Sequence, residues 1–150
     1  MHNYPRNSPH AAARLISLMM IADGHVCRSE LDALHSLKAE AELGLPPGGM
    51  HLVLQTFCED LLCSSMQTDN LSSGLRGELL DSLFGDVTDP ELRRKIVNFA
   101  VATAVADGNV SAGEQEVLLS MITHWNAGAD QASSAAAPPA RRPAHTAARA

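Results

Sequence analysis

The chain has 150 residues, 45% of them apolar but only 3% aromatic, and carries 11 Lys and Arg against 17 Asp and Glu for a net charge of −6. Residues 127–150 hold Arg141, Arg142 and Arg149 against the single acid Asp130, so the remainder has 8 basic and 16 acidic residues and a charge of −8. That balance excludes a surface for nucleic-acid phosphates and favours cations or basic partners, while the lack of any run of about 18 apolar residues or a hydrophobic leader excludes membrane insertion and predicts a cytoplasmic protein.

Apolar bulk comes from Leu, Ala, Met and Val, which predicts an all-α fold. Residues 1–8, polar and Pro-containing, read as a flexible leader to a domain over 9–126. From Pro9 to Ala22, Leu15, Leu18, Met19 and Ala22 recur at helical spacing, an amphipathic stripe that Gly24 ends. A second helix is expected from Cys27 or Arg28 to about Leu43, with Leu31, Leu34 and Leu37 inward, until the Gly- and Pro-rich stretch 44–49 breaks the chain.

A third helix, from about Met50 to Met66, carries Val53, Leu54, Phe57, Leu61 and Leu62. A fourth follows the turn residues Thr68, Asp69 and Asn70, carrying Leu71, Leu75, Leu79, Leu80 and Leu83 to Gly85. Asp89-Pro90-Glu91 then places a cap, a first-turn proline and an acid in order, a start signal for a fifth helix reaching Ala106. The sixth begins at Ser111 and fades near Trp125-Asn126. Residues 127–150, mostly Ala, Ser, Pro and Arg, read as a disordered tail because nothing in them offsets the entropy of ordering.

One phrase occurs twice. Ile21 to Leu34 and Val105 to Leu118, aligned without a gap at an offset of 84, share Ala, Asp, Gly, Val, Glu and Leu at six of fourteen positions. Ordinary residue usage gives about one match by chance. Such repetition predicts two related halves with approximate two-fold symmetry, in which Asp23, Glu30, Asp107 and Glu114 meet.

The repeated Asp-Gly-x-hydrophobic-x-x-x-Glu matches the second half of an EF-hand calcium loop. The first half is missing: the ligand positions would be Met19 and Ile21, or Thr103 and Val105, all belonging to the preceding helices. Each turn supplies half a coordination shell. Glu114 with Ser111 also reads as a capping box, Glu30 suits a first turn although Cys27 is a poor cap, and Gly24 and Gly108 read as helix stops. Val26 and Val110 are expected to anchor the turns in the core, and His25 reads as a turn residue. An Asp at a helix C-terminus opposes the dipole at about 0.3–1 kcal/mol, so Asp23 and Asp107 need a partner: a backbone N–H in the next turn, an Arg, or a bound cation.

The other chemistry-bearing residues are isolated. Cys27, Cys58 and Cys63 lack zinc-like spacing and read as reduced thiols, and His35 and His124 stand alone on helices. Neither a G-x-S-x-G elbow nor a Gly-rich phosphate loop occurs, which leaves a non-enzymatic protein as the expectation and a metal-dependent hydrolase as a remote one.

With these residues in view, the chain resembles the TerB-like family, helical domains of tellurite-resistance proteins also found at the N-terminus of a membrane-anchored DnaJ-type co-chaperone. The resemblance rests on Leu18 to Leu34 and on Thr88 to Leu118, within about residues 10–125. It implies a compact bundle of six to seven helices and an acidic patch for a divalent cation at the positions matching Asp23, Glu30, Asp107 and Glu114. It further implies a binding module in a stress-response assembly of other proteins. Cys27 departs from the Ser or Thr usual in the family motif. No His-Pro-Asp tripeptide is present, so co-chaperone activity is not implied. The competing expectation is a structural interaction domain without a metal.

Overall fold

The computed structural model describes residues 2–22, 24–67, 73–106 and 108–134; of residues 64–67, 73–76 and 128–134 it describes the backbone alone. The described residues form seven helices and no strand: α1 (Pro9–Met20), α2 (Arg28–Ser36), α3 (Ala39–Leu43), α4 (Gly49–Gln67), α5 (Ser73–Gly85), α6 (Pro90–Ala104) and α7 (Ala112–Ser134). None of them is long and apolar enough to cross a membrane.

The local start signals act as their chemistry dictates. Ser8 caps α1 by accepting from the Ala11 N–H, and Asp89 caps α6 by accepting from the Glu91 N–H, each followed by a proline at the first helical position. The expected second helix is two. Lys38 turns to a left-handed φ of 52° and separates α2 from α3, although neither Gly nor Pro stands there. At the other end α7 runs to Ser134, past Trp125-Asn126 where fading was expected, because Ala127, Ala129, Gln131 and Ala132 are compatible with helix and no proline intervenes. The tail beyond 134 lies outside the described residues, as do Leu71 and the turn before it.

α1 is the centre of the bundle. It packs against α3, α4, α5, α6 and α7, and every residue from Ala11 to Met20 is buried, so the expected one-sided stripe is instead a helix covered all round. Burying Leu15, Ile16, Met19 and Met20 contributes about 1.5–3 kcal/mol each. Around them lie Val53, Phe57, Leu83, Phe84, Ile96 and Met121. Three residues expected inside are outside: Leu37 is 47% exposed, Leu62 62% and Val26 40%. Leu37 is lost to the Lys38 turn, which ends α2 beneath it.

The first residues dock rather than trail. The Asn7 N–H donates to the Asp86 carbonyl at 2.8 Å, and Asn7 Oδ1 accepts from the Thr88 and Asp89 N–H groups at 2.7 and 3.0 Å. Tyr4 stacks on His10. Asp60 Oδ2 accepts from the His2 N–H at 2.6 Å. Burial would raise the Asp60 pKa, but the His2 backbone and imidazole hydrogen bonds and its charge outweigh that and hold the carboxyl below its ordinary range.

Candidate functional site at the Asp-Gly turns

Because Asn7 stitches the start of α1 to the start of α6, and the two helices pack along one another, they run in the same sense. Ile21-Ala22 and Val105-Ala106, which follow them, therefore leave the same end of the pair. The helices that follow cross over: α2 packs on α6, and α7 packs on α1.

The backbone of the two turns corresponds bond for bond. Ile21 N–H donates to Ser17 at 3.1 Å and Val105 N–H to Val101 at 3.1 Å; Ala22 donates to Met19 at 3.1 Å and Ala106 to Thr103 at 3.0 Å. Gly24 then donates to Ile21 at 2.9 Å and Gly108 to Val105 at 3.1 Å. Both glycines hold positive φ, 86° and 79°, which explains why the position is Gly in both copies.

The carboxylates of the following helices also correspond. The Cys27 N–H donates to Glu30 Oε2 at 2.8 Å, and the Ser111 N–H to Glu114 Oε2 at 2.7 Å. Each reaches back to satisfy an orphan donor at the start of its helix, and each is nearly covered, Glu30 at 5% and Glu114 at 6% exposure. Ser111 Oγ returns a bond from the Glu114 N–H at 3.1 Å. In the first copy the side chain in that place is the Cys27 thiol, a weak acceptor. The first turn of a helix favours an acidic side chain through the helix dipole, which suits Glu at both positions.

Among the described residues, no group of three or more His, Cys, Asp or Glu is arranged to hold a metal ion. Asp23 and Asp107 themselves lie outside the described residues. The structure thus describes two members of the expected quartet, Glu30 and Glu114, and gives each a capping bond through one carboxylate oxygen. The expected anchor Val26 is exposed, and Val110 is half-buried. His124 is not solitary: its Nδ1 lies 3.2 Å from Asp81 Oδ1 and its ring against Phe84. His35, exposed, lines a cavity of about 610 Å³ together with Leu34, Lys38, Met50 and His51. No local sequence signal announces that cavity, because its walls come from three helices and the junction between the first two, at Lys38, carries neither Gly nor Pro. None of Cys27, Cys58 and Cys63 is in a disulfide.

Compared with known protein families, residues 9–132 match the family described as Tellurite resistance protein TerB. No curated protein and no solved structure matches the chain.

Proposed function

Because the chain belongs to the TerB family, a module related to tellurite resistance, we propose that it is a non-enzymatic cytoplasmic binding domain that takes a divalent cation at its two Asp-Gly turns. The observation that carries this reading is the bond-for-bond match of the turns. The same backbone course is followed by the same buried Glu at an offset of 84, and the same Asp stands before each glycine. An Asp at a helix C-terminus is unfavourable alone, and a hard cation bound by anionic oxygen offsets that cost. In this reading Asp23 and Asp107 are the principal ligands. Glu30 and Glu114 contribute less because capping already engages them, and the acidic exterior meets proteins of a stress-response assembly.

A second reading, a structural interaction domain without a metal, is favoured by one observation: the capping boxes account locally for Glu30 and Glu114. Calorimetric titration with calcium, magnesium, manganese and zinc separates the two. The cation reading expects saturable heat and an ion-dependent rise in melting temperature following RT ln(1 + [L]/Kd), both lost in Asp23→Asn/Asp107→Asn and only reduced in Glu30→Gln or Glu114→Gln. Equal indifference of wild type and the double variant to millimolar ions selects the structural reading. In that case removing charge at the two helix ends leaves stability unchanged or slightly raised.

A further inference from the structure

Arg93 and Arg94 are adjacent cations near the start of α6, the end of a helix where positive charge is least favoured. Arg93 is held in one pose. Its Nε donates to the Val87 carbonyl at 2.8 Å, and its guanidinium carbon lies 5.2 Å from the centre of the Trp125 ring. The ring is fixed in turn, since Trp125 Nε1 donates to the Phe84 carbonyl at 3.0 Å and its edge meets Phe84. Yet the two terminal nitrogens of Arg93 hydrogen-bond to none of the described residues. A guanidinium stacked on an aromatic face, with its outer edge unused, is pre-organised for an anion.

The surroundings suit that chemistry. Arg93 opens onto a cleft of about 390 Å³ whose polar lining is Arg94, Asn98 and Asn126, with Val97 and Trp125 among its apolar walls. Among the described residues, no carboxylate lines it. Among the described residues Arg94 is engaged only by Glu91, at 3.1 Å, with both side chains exposed; such a pair is weak and yields readily to a ligand. The overall negative charge of the protein does not decide the matter, because screening limits distant charges to about 8 Å at physiological salt. Burial lowers the Arg93 pKa from its ordinary value, as expected of a cation partly stripped of water, though guanidinium stays protonated at neutral pH.

We propose that this cleft binds a small organic anion, a carboxylate or phosphate monoester carried on a planar apolar body. The anionic head lies on the outer edge of Arg93, with Arg94 and the two amides around it, and the body lies along Val97 and Trp125. The volume is at the lower end of small-molecule sites, which fits a single-ring ligand. The proposal stands independently of the cation reading, since it uses none of the residues of the Asp-Gly turns.

Trp125 is the one tryptophan of the chain, so its fluorescence reports on the cleft directly. The full chain is titrated with phenylacetate, phenyl phosphate and the neutral phenylacetamide. The expected result is a saturable change with an anion at about millimolar concentration and a response to the amide at least tenfold weaker, about 1.4 kcal/mol. Which anion binds more tightly identifies the head group. Asn98→Asp, at an exposed position, puts a carboxylate into the cleft; it is expected to weaken the anions at least about tenfold while leaving the melting temperature unchanged. Arg93→Lys keeps the charge and loses the fork, so binding falls severalfold. The proposal is overturned if neither anion gives a saturable response, if the amide binds as well as its acid, or if Asn98→Asp binds as wild type does.

Discussion

Arg14, in the middle of the fully covered helix α1, donates from Nη2 to Asp86 Oδ2 at 2.9 Å, tying the central helix to the connection between α5 and α6. Its Nη1 donates to the His2 carbonyl and its guanidinium faces the Tyr4 ring, but its buried Nε has no hydrogen-bond partner among the described residues. Such a pair costs desolvation to form and much more to break on one side. Asp86→Ala, which strands the buried guanidinium, is expected to cost about 2–4 kcal/mol, and Arg14→Met, which leaves behind the better-solvated Asp86 with its side chain 18% exposed, about 2 kcal/mol or less. Urea unfolding of both variants checks the order; an Arg14→Met loss as large as that of Asp86→Ala refutes it.

The positive-φ positions give a prediction of opposite signs. A Cβ at Gly24 or Gly108 would meet no atom within 4 Å, so an alanine there is opposed by backbone conformation alone. Gly24→Ala and Gly108→Ala should each destabilise by about 1–2 kcal/mol. Lys38, already left-handed at 52°, should gain from Lys38→Gly by about 0.5–1 kcal/mol, since relief of strain exceeds the entropy cost of glycine. Melting temperatures of the three variants test this directly.

The paired capping boxes predict an exchange of stability. Ser111→Ala deletes the hydroxyl that holds the Glu114 N–H and is expected to cost about 1 kcal/mol. Cys27→Ser supplies the missing hydroxyl to the first copy and should gain a few tenths of a kcal/mol up to about 1 kcal/mol. If Cys27→Ser destabilises, the two helix starts are not equivalent in energy.

Asp60 gives a pH dependence. Its folded pKa is depressed, so its ionised form stabilises the docked N-terminal residues above the unfolded value of about 3.9, and that contribution is lost as pH falls through the lower folded value. Asp60→Asn should therefore be less stable than wild type at neutral pH, with the gap closing below about pH 4. Urea midpoints of both proteins measured from neutral to acid pH show whether it closes.

How far the sequence reaches is seen in particular residues. Asp89-Pro90-Glu91, Ser111-x-x-Glu114 and the two glycines were legible because a cap or stop is decided by atoms within about four residues of one another. The all-α class followed in the same way from composition and helical spacing, and the repeated phrase carried the family resemblance that the match over residues 9–132 bears out. Of the candidate site, the capping role of Glu114 and the first-turn place of Glu30 could be read in advance, but not that Glu30 also reaches back to the Cys27 N–H.

Only the tertiary structure decided what each helix face meets. An apolar stripe at Leu15, Leu18 and Met19 shows that α1 has a buried side; that Arg14 and Ser17 are buried too depends on five other helices converging on it. The docking of Asn7 on Thr88 and Asp89, the exposure of Leu37 and Leu62, and the seating of Arg93 on Trp125 are likewise pairings between distant segments or consequences of them. Local chemistry fixes where a helix begins and ends, because its atoms are neighbours in the chain. Burial is set by the number and direction of non-local partners, and no run of residues encodes that by itself.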